Sequence, residues 1–158
     1  MLAFELTGAA MSSFMKLWLA GAAFDSYFVK DMEIVALTRF QIAGNLEKAY
    51  VAEEGKEPPA RNYCFWSEIK PYAFGLIRGT KKPKLIKVVL LANDDLTKEM
   101  HENAASLSLN ISCDEERAVF TTGTMQKSFS MDKSMNHIWD EYVERFFKSL
   151  GFPVSTLS

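Results

Sequence analysis

The sequence predicts an α+β domain in which two strand–helix–strand–strand half-repeats build an antiparallel sheet, and a C-terminal amphipathic helix covers it. Three observations lead there. Short apolar/polar alternations recur along the chain, as half-buried strands require. Helical spacing of apolar residues appears over 8–20, 67–77 and 133–149. Gly21 and Gly79 follow the first two of these helices at matching places. On this reading residues 1–150 form a single domain with half-repeats over about 1–45 and 62–130, a dividing loop over 46–61, a helix over 132–150 and a tail over 151–158.

Taken in order, Leu2 to Leu6 alternate as a short strand, and Thr7 is placed to cap a helix over 8–20. Met11, Phe14, Met15, Trp18 and Leu19 give that helix its apolar face, with Gly21 as its stop. Residues 24–30 and 33–43 are rich in β-branched and aromatic types, and Asp31 suits a turn between them. Glu53 to Pro59 form a polar loop bearing Gly55, Pro58 and Pro59. A strand over 62–65 then leads into a helix capped by Ser67. Its inward residues are Ile69, Tyr72, Ala73, Leu76 and Ile77, and Pro71 demands an irregular first turn.

Residues 84–92 are the most apolar stretch and read as a central strand. Asp94 or Asp95 can cap a helical excursion over 94–104. Strands follow over 106–113, 117–122 and 125–130, with turns at 114–116 and Gly123. Asp132 caps the last helix, whose broad face carries Met135, Ile138, Trp139, Tyr142, Val143, Phe146 and Phe147 before Gly151 and Pro153 end it. That face is too wide for an isolated helix, so it covers a sheet or a partner.

A length of 158 residues suits one domain. Twelve Phe and three Trp supply either core volume or an adhesive surface. A net charge of −2 excludes a global attraction to nucleic acid or anionic membrane. The segment over 8–24 is apolar and ends in Ala20-Gly21-Ala22-Ala23, but Glu5 stands where a leader carries basic residues and Lys16 interrupts the stretch. With no CxxC and no run of 18 uncharged apolar residues, Cys64 and Cys113 read as free thiols of a cytoplasmic protein without a membrane span.

The order of elements over residues 1–130 resembles one domain of the sliding-clamp (processivity clamp) fold, in which βαβββ units repeat. The resemblance implies a clamp-like fold and a nucleic-acid-associated role. Four segments carry a second resemblance: Met1-Leu2-Ala3-Phe4; Trp66-Ser67-Glu68-Ile69-Lys70-Pro71; Thr121-Thr122-Gly123-Thr124; and Asp132-Lys133-Ser134 with Trp139-Asp140-Glu141. On these the chain is similar to an uncharacterised bacterial domain-of-unknown-function family, which implies no activity.

Chemistry has few footholds. His137, Asp140 and Glu141 lie at helical spacings of three and four, so a carboxylate could orient the imidazole for hydrolase-type proton transfer. The same residues equally suit the solvated face of an amphipathic helix. No cofactor motif and no metal-ligand spacing occurs: GxxxxGK[ST], GxGxxG and GxSxG are absent. Arg78-Gly79-Thr80-Lys81-Lys82 follows a helix, where a phosphate loop should follow a strand.

Charge is sharply segregated. Residues 59–93 hold seven bases (Arg61, Lys70, Arg78, Lys81, Lys82, Lys84, Lys87) and one acid, whereas 94–116 hold seven acids and one base. Arg78, Lys81, Lys82, Lys84 and Lys87 therefore suit phosphates or an acidic partner, or serve to protect a strand edge. Trp139, Tyr142 and Phe146 form the candidate interaction surface. The leading expectation is a non-enzymatic binding or assembly protein whose partner is another protein or a second copy. A clamp-related nucleic-acid protein and an enzyme using His137 with Asp140 or Glu141 are the alternatives.

Overall fold

Apolar alternation in the strands has one consequence in space: a single antiparallel sheet with one face filled by rings. The computed structural model describes residues 1–79 and 81–157. Its elements run β1 (Ala3–Thr7), α1 (Gly8–Ala20), β2 (Phe28–Val35), β3 (Arg39–Ala43), α2 (Lys48–Val51), β4 (Cys64–Phe65), α3 (Trp66–Ile77), β5 (Leu85–Leu91), α4 (Asp94–Met100), β6 (Ala104–Cys113), β7 (Arg117–Gln126) and α5 (Ser134–Ser149). Seven strands form the sheet in the order β1-β7-β6-β5-β2-β3, and β4 pairs with β2 beyond the end of β3. The register sets Phe4 opposite Phe120, Phe120 opposite Ile111, Ile111 opposite Val88 and Val88 opposite Met32. Since side chains directly across a ladder share a face, these residues line one side of the sheet. Glu33 opposite Lys87, and Asn110 opposite Thr121, line the other.

The helices bury their rings in the apolar face. Phe14 of α1 meets Phe120 edge-on at 4.8 Å, and Phe147 of α5 meets Phe4 and Phe120 at 4.9 Å each. Trp66 at the start of α3 stacks on Trp18 at 4.8 Å and 12°, and its Nε1 donates to the Trp18 carbonyl at 2.9 Å. Burial of each large ring contributes about 1.5–3 kcal/mol, and ring pairing adds about 0.5–1.5 kcal/mol. The Trp pair therefore ties α1 to α3, beside the β1–β7 and β2–β5 ladders that also join the two halves. Lys70 reinforces this tie by donating to the Gly21 carbonyl at 2.8 Å and to Asp25 at 2.6 Å.

Several elements depart from the sequence reading. Asp31 is no turn: β2 runs through it with a register shift between Val29 and Asp31, alternation resumes with Met32 and Ile34 buried, and the chain reverses instead at Ala36–Thr38. The break expected at Gly123 is absent: one strand runs Arg117–Gln126 with Gly123 paired opposite Ser108, where a Cβ would stand 2.5 Å from the Ser108 hydroxyl, and residues 127–130 of the expected strand over 125–130 lie in the loop that follows. Gly21 ends α1 without a left-handed backbone; it is small because a Cβ there would meet the Leu17 carbonyl oxygen at 2.7 Å. The expected caps shift as well. Thr7 makes no cap bond. Glu68 accepts the Phe65 N–H in place of a Ser67 cap, Asn93 rather than Asp94 or Asp95 accepts Leu96 N–H, and Asp132 accepts the Ser134 N–H. Tyr72 is 73% exposed rather than inward.

The described part of the tail, residues 151–157, is not free of the domain. Gly151 takes φ +89°, which lets the chain turn back, Phe152 is buried, and Leu157 N–H donates to the Ala3 carbonyl at 2.7 Å. The last residues thereby cover the outer edge of β1, blunting an edge that would otherwise offer unpaired backbone.

The two indoles of the central stack make a stability test. Trp66 Nε1 is satisfied, whereas Trp18 Nε1 is buried without a partner among the described residues. Trp66→Phe strands the buried Trp18 carbonyl, so it is expected to lower the urea-unfolding free energy by roughly 1–3 kcal/mol beyond any loss from packing. Trp18→Phe removes an unsatisfied donor and is expected to cost less. Equal losses in the two variants would refute this division.

A candidate binding cavity between the first and third helices

The apolar face of α1 is wider than the core it fills. Phe14 and Trp18 point into the rings, but Met11, Met15 and Leu19, spaced by four, form a second stripe beside them that stays half-buried. The Trp18–Trp66 stack and the Lys70 anchors hold α3 alongside, so Phe74 and Ile77 face this stripe across a gap. Pro83, Ile86 and Cys113 close the floor, giving a cavity of ≈ 600 Å³. That lies within the about 300–1,000 Å³ usual for ligand sites, with the apolar lining they share.

The rim is charged. Charges of both signs line it: Lys16 from α1, Arg78, Lys81 and Lys82 from the end of α3 and the segment after it, and Asp114, Glu115 and Glu116 from the β6–β7 turn. The two oppositely charged segments of the sequence thus share one mouth. Among the described residues no ion pair within 4.0 Å bridges it. Asp114 is turned to the backbone: its carboxylate accepts the Glu116 and Arg117 N–H groups at 2.8 Å each, which holds its pKa below the usual carboxylate value. The Arg78 guanidinium lies over the Phe74 ring at 5.0 Å. In the floor, burial pushes the Cys113 thiol up to about 12, so it is protonated and unreactive at neutral pH.

A family model matches residues 16–153. The chain belongs to DUF5721, a family of unknown function. No curated protein and no solved structure matches it. Three of the four segments that carried the sequence resemblance fall within the matched range, and the opening Met1–Phe4 precedes it.

In this DUF5721 protein the sequence-derived candidates scatter. His137 and Glu141 are exposed on α5, while Asp140 turns inward, accepts the Thr122 hydroxyl and lies 3.5 Å from the Met1 nitrogen. None of the three lines the ≈ 600 Å³ cavity, nor the smaller ones of ≈ 290 and ≈ 340 Å³. Of the basic group, Arg78, Lys81 and Lys82 reach the cavity mouth, Lys84 lines a neighbouring shallow site with Asp114–Glu116, and Lys87 is opposite Glu33 on the open sheet face. Arg61 and Lys70 are taken up by Glu68 and Asp25. Thr80 of the glycine-bearing run is outside the described residues.

Trp139 corrects the expected interaction surface. It is fully buried, with Nε1 donating to the Ser108 carbonyl at 2.9 Å, so it is core; Tyr142 and Phe146 are half-buried against it. No helix among the described residues is long and apolar enough to cross a membrane. The stripe Met11–Met15–Leu19 was visible in the sequence only as part of one five-residue apolar face. Its width was the signal, since a helix covering one seam needs fewer apolar positions.

Thiol chemistry tests the floor of the cavity. At pH 8 a Cys64→Ser chain is expected to stay unreactive toward an aromatic disulfide reagent until denaturant is added, because Cys113 is buried and protonated. Rapid reaction of native Cys64→Ser would show that the floor is open.

Proposed function

We propose that this DUF5721 chain is a non-enzymatic binding protein and that the cavity between α1 and α3 is its binding site. The supporting observation is the uncovered apolar stripe Met11–Met15–Leu19 opposite Phe74 and Ile77, ringed by separated charges. Methionine suits such a wall because its unbranched, polarizable side chain adapts to different occupants. The cavity matches an apolar group presented within charged surroundings. A polyanion fits less well, because Lys81 and Lys82 share their mouth with three carboxylates. The reading favours binding over hydrolysis, since the only thiol in the floor is protonated and His137 is in solvent. Two free cysteines accord with a reducing, cytoplasmic setting.

A fluorescent anilinonaphthalene sulfonate, an aromatic body with an anionic head, serves as the test ligand. The native chain is expected to bind one equivalent, and Met15→Trp, which fills the cavity, is expected to weaken that binding at least tenfold with unchanged circular dichroism. Neutralising Lys81 and Lys82 together to Gln is expected to weaken it severalfold. Undiminished binding by folded Met15→Trp would remove the cavity as the site.

A further inference from the structure

The two edges of the sheet are finished differently. At β1 the chain covers its own edge: Phe4 bridges to Thr156, and Leu157 N–H donates to the Ala3 carbonyl at 2.7 Å. At the other end β3 pairs with β2 alone. It carries none of the devices that blunt an edge. Arg39–Ala43 holds no proline and no bulge, and its one charge, Arg39, is taken up by Glu33 at 2.7 Å.

The register fixes which backbone groups of β3 are left over. Gly44 N–H donates to the Lys30 carbonyl at 2.9 Å and Ala36 N–H to the Thr38 carbonyl at 3.0 Å, one bond at each end of the β2–β3 ladder. Bonded and non-bonded pairs alternate along an antiparallel ladder. From either end, Ile42 opposite Met32 and Phe40 opposite Ile34 are then the bonded pairs. On the far side of β2 the Val35 carbonyl takes the Lys84 N–H at 2.8 Å, as the same alternation requires. The N–H and carbonyl groups of Arg39, Gln41 and Ala43 therefore point away from β2. They have no hydrogen-bond partner among the described residues, and all three residues are exposed.

Such an edge fits an antiparallel copy of itself. About a two-fold axis at Gln41, two β3 strands set Gln41 opposite Gln41 and Arg39 opposite Ala43, so every outward N–H meets an outward carbonyl. Sliding one strand by two residues would leave Arg39 or Ala43 of each copy beyond the end of the other's strand. The side chains match in the same register. Phe40 and Ile42 lie on the core face, opposite Ile34 and Met32, and stay half-buried at the end of the sheet. Each Phe40 would stand opposite Ile42 of the second copy, and an aromatic facing a β-branched side chain is a favourable cross-strand pair. Arg39 would face Ala43, so no like charges oppose each other.

We infer that two copies of the chain pair edge to edge through β3, joining their seven-stranded sheets into one continuous sheet. The contact is isologous and closes on itself, so assembly stops at the dimer. It stands apart from the reading of the α1–α3 cavity.

The contact is small, so sedimentation equilibrium on the full chain runs up to about 1 mM protein, where weak pairing is still populated. The native chain is expected to show a monomer–dimer equilibrium and nothing larger. Gln41→Pro removes an outward N–H and none from the β2 ladder, a place where an edge strand tolerates proline. It is expected to keep native circular dichroism and to weaken dimerisation by about tenfold or more, since a bond is lost in each copy. Gln41→Ala keeps the N–H and is expected to dimerise as the native chain does. Should Gln41→Pro lose its native circular dichroism, Gln41→Lys and Gln41→Glu take its place. Each alone sets like charges opposite each other and is expected to dimerise severalfold more weakly, and an equal mixture is expected to recover native association. Amide exchange followed by NMR reads the register: Arg39, Gln41 and Ala43 are expected to slow with rising concentration, while Phe40 and Ile42 are slow throughout. A native chain still monomeric at the highest concentration overturns the inference. So does a folded Gln41→Pro chain that dimerises like the native one, or a mixture of Gln41→Lys and Gln41→Glu that associates no better than either alone.

Discussion

The contact on which this architecture depends is the stack of Trp66 on Trp18, tied by the bond from the Trp66 indole to the Trp18 carbonyl. It joins residues from the two halves of the chain and sets how α3 lies against α1. Everything between those helices inherits that spacing. The rings of Phe14, Phe120 and Phe147 extend the cluster from α1 through the sheet to α5, so one aromatic core serves all three helices. Rings make such a core stiff, because each is large, has few rotatable bonds and packs against its neighbours in defined orientations.

The cavity is a by-product of that stiffness. Phe14 and Trp18 satisfy the core, and α1 then has apolar surface left over at Met11, Met15 and Leu19. α3 is held by Trp66 and by Lys70 with Asp25 and Gly21, so it does not tilt inward to close the gap. Covered apolar area would stabilise the chain by about 25 cal/mol per Å², so an uncovered stripe facing a gap is a cost that an occupant can offset. Stability and binding are in this sense set by adjacent stripes of the same helix.

Much of the fold was legible in the sequence, and the particular errors show why the rest was not. The antiparallel sheet, the three main helices and the covering role of α5 follow from periodicity, which survives any detail of packing. Asp31 and Gly123 misled because turn-forming residues mark turns only when the backbone there lacks a partner. Asp31 is paired opposite Ala43 and Val89, and Gly123 opposite Ser108. Trp139 misled in the other direction. An aromatic on a broad helical face reads as surface until the sheet beneath it is known to take the indole N–H at Ser108. The candidate site was legible in pieces: the methionines, the lysines and the acidic turn were each noticed, but nothing in their spacing said that they converge.

The sequence by itself determined the class of the fold and most of the core, because alternation and helical period dictate which side chains leave water, although Tyr72 and Trp139 fell on the other side of that division. It also determined the segregation of charge into a basic and an acidic stretch. Only the tertiary structure decided that these stretches meet at one mouth, that His137 and Asp140 part company, and that β3 is left as an edge of the sheet. The reason is physical. Periodicity acts within a few residues along the chain, whereas the cavity brings together residues as far apart as Met11 and Glu116, whose approach is set by how the sheet and the tryptophan stack place their elements.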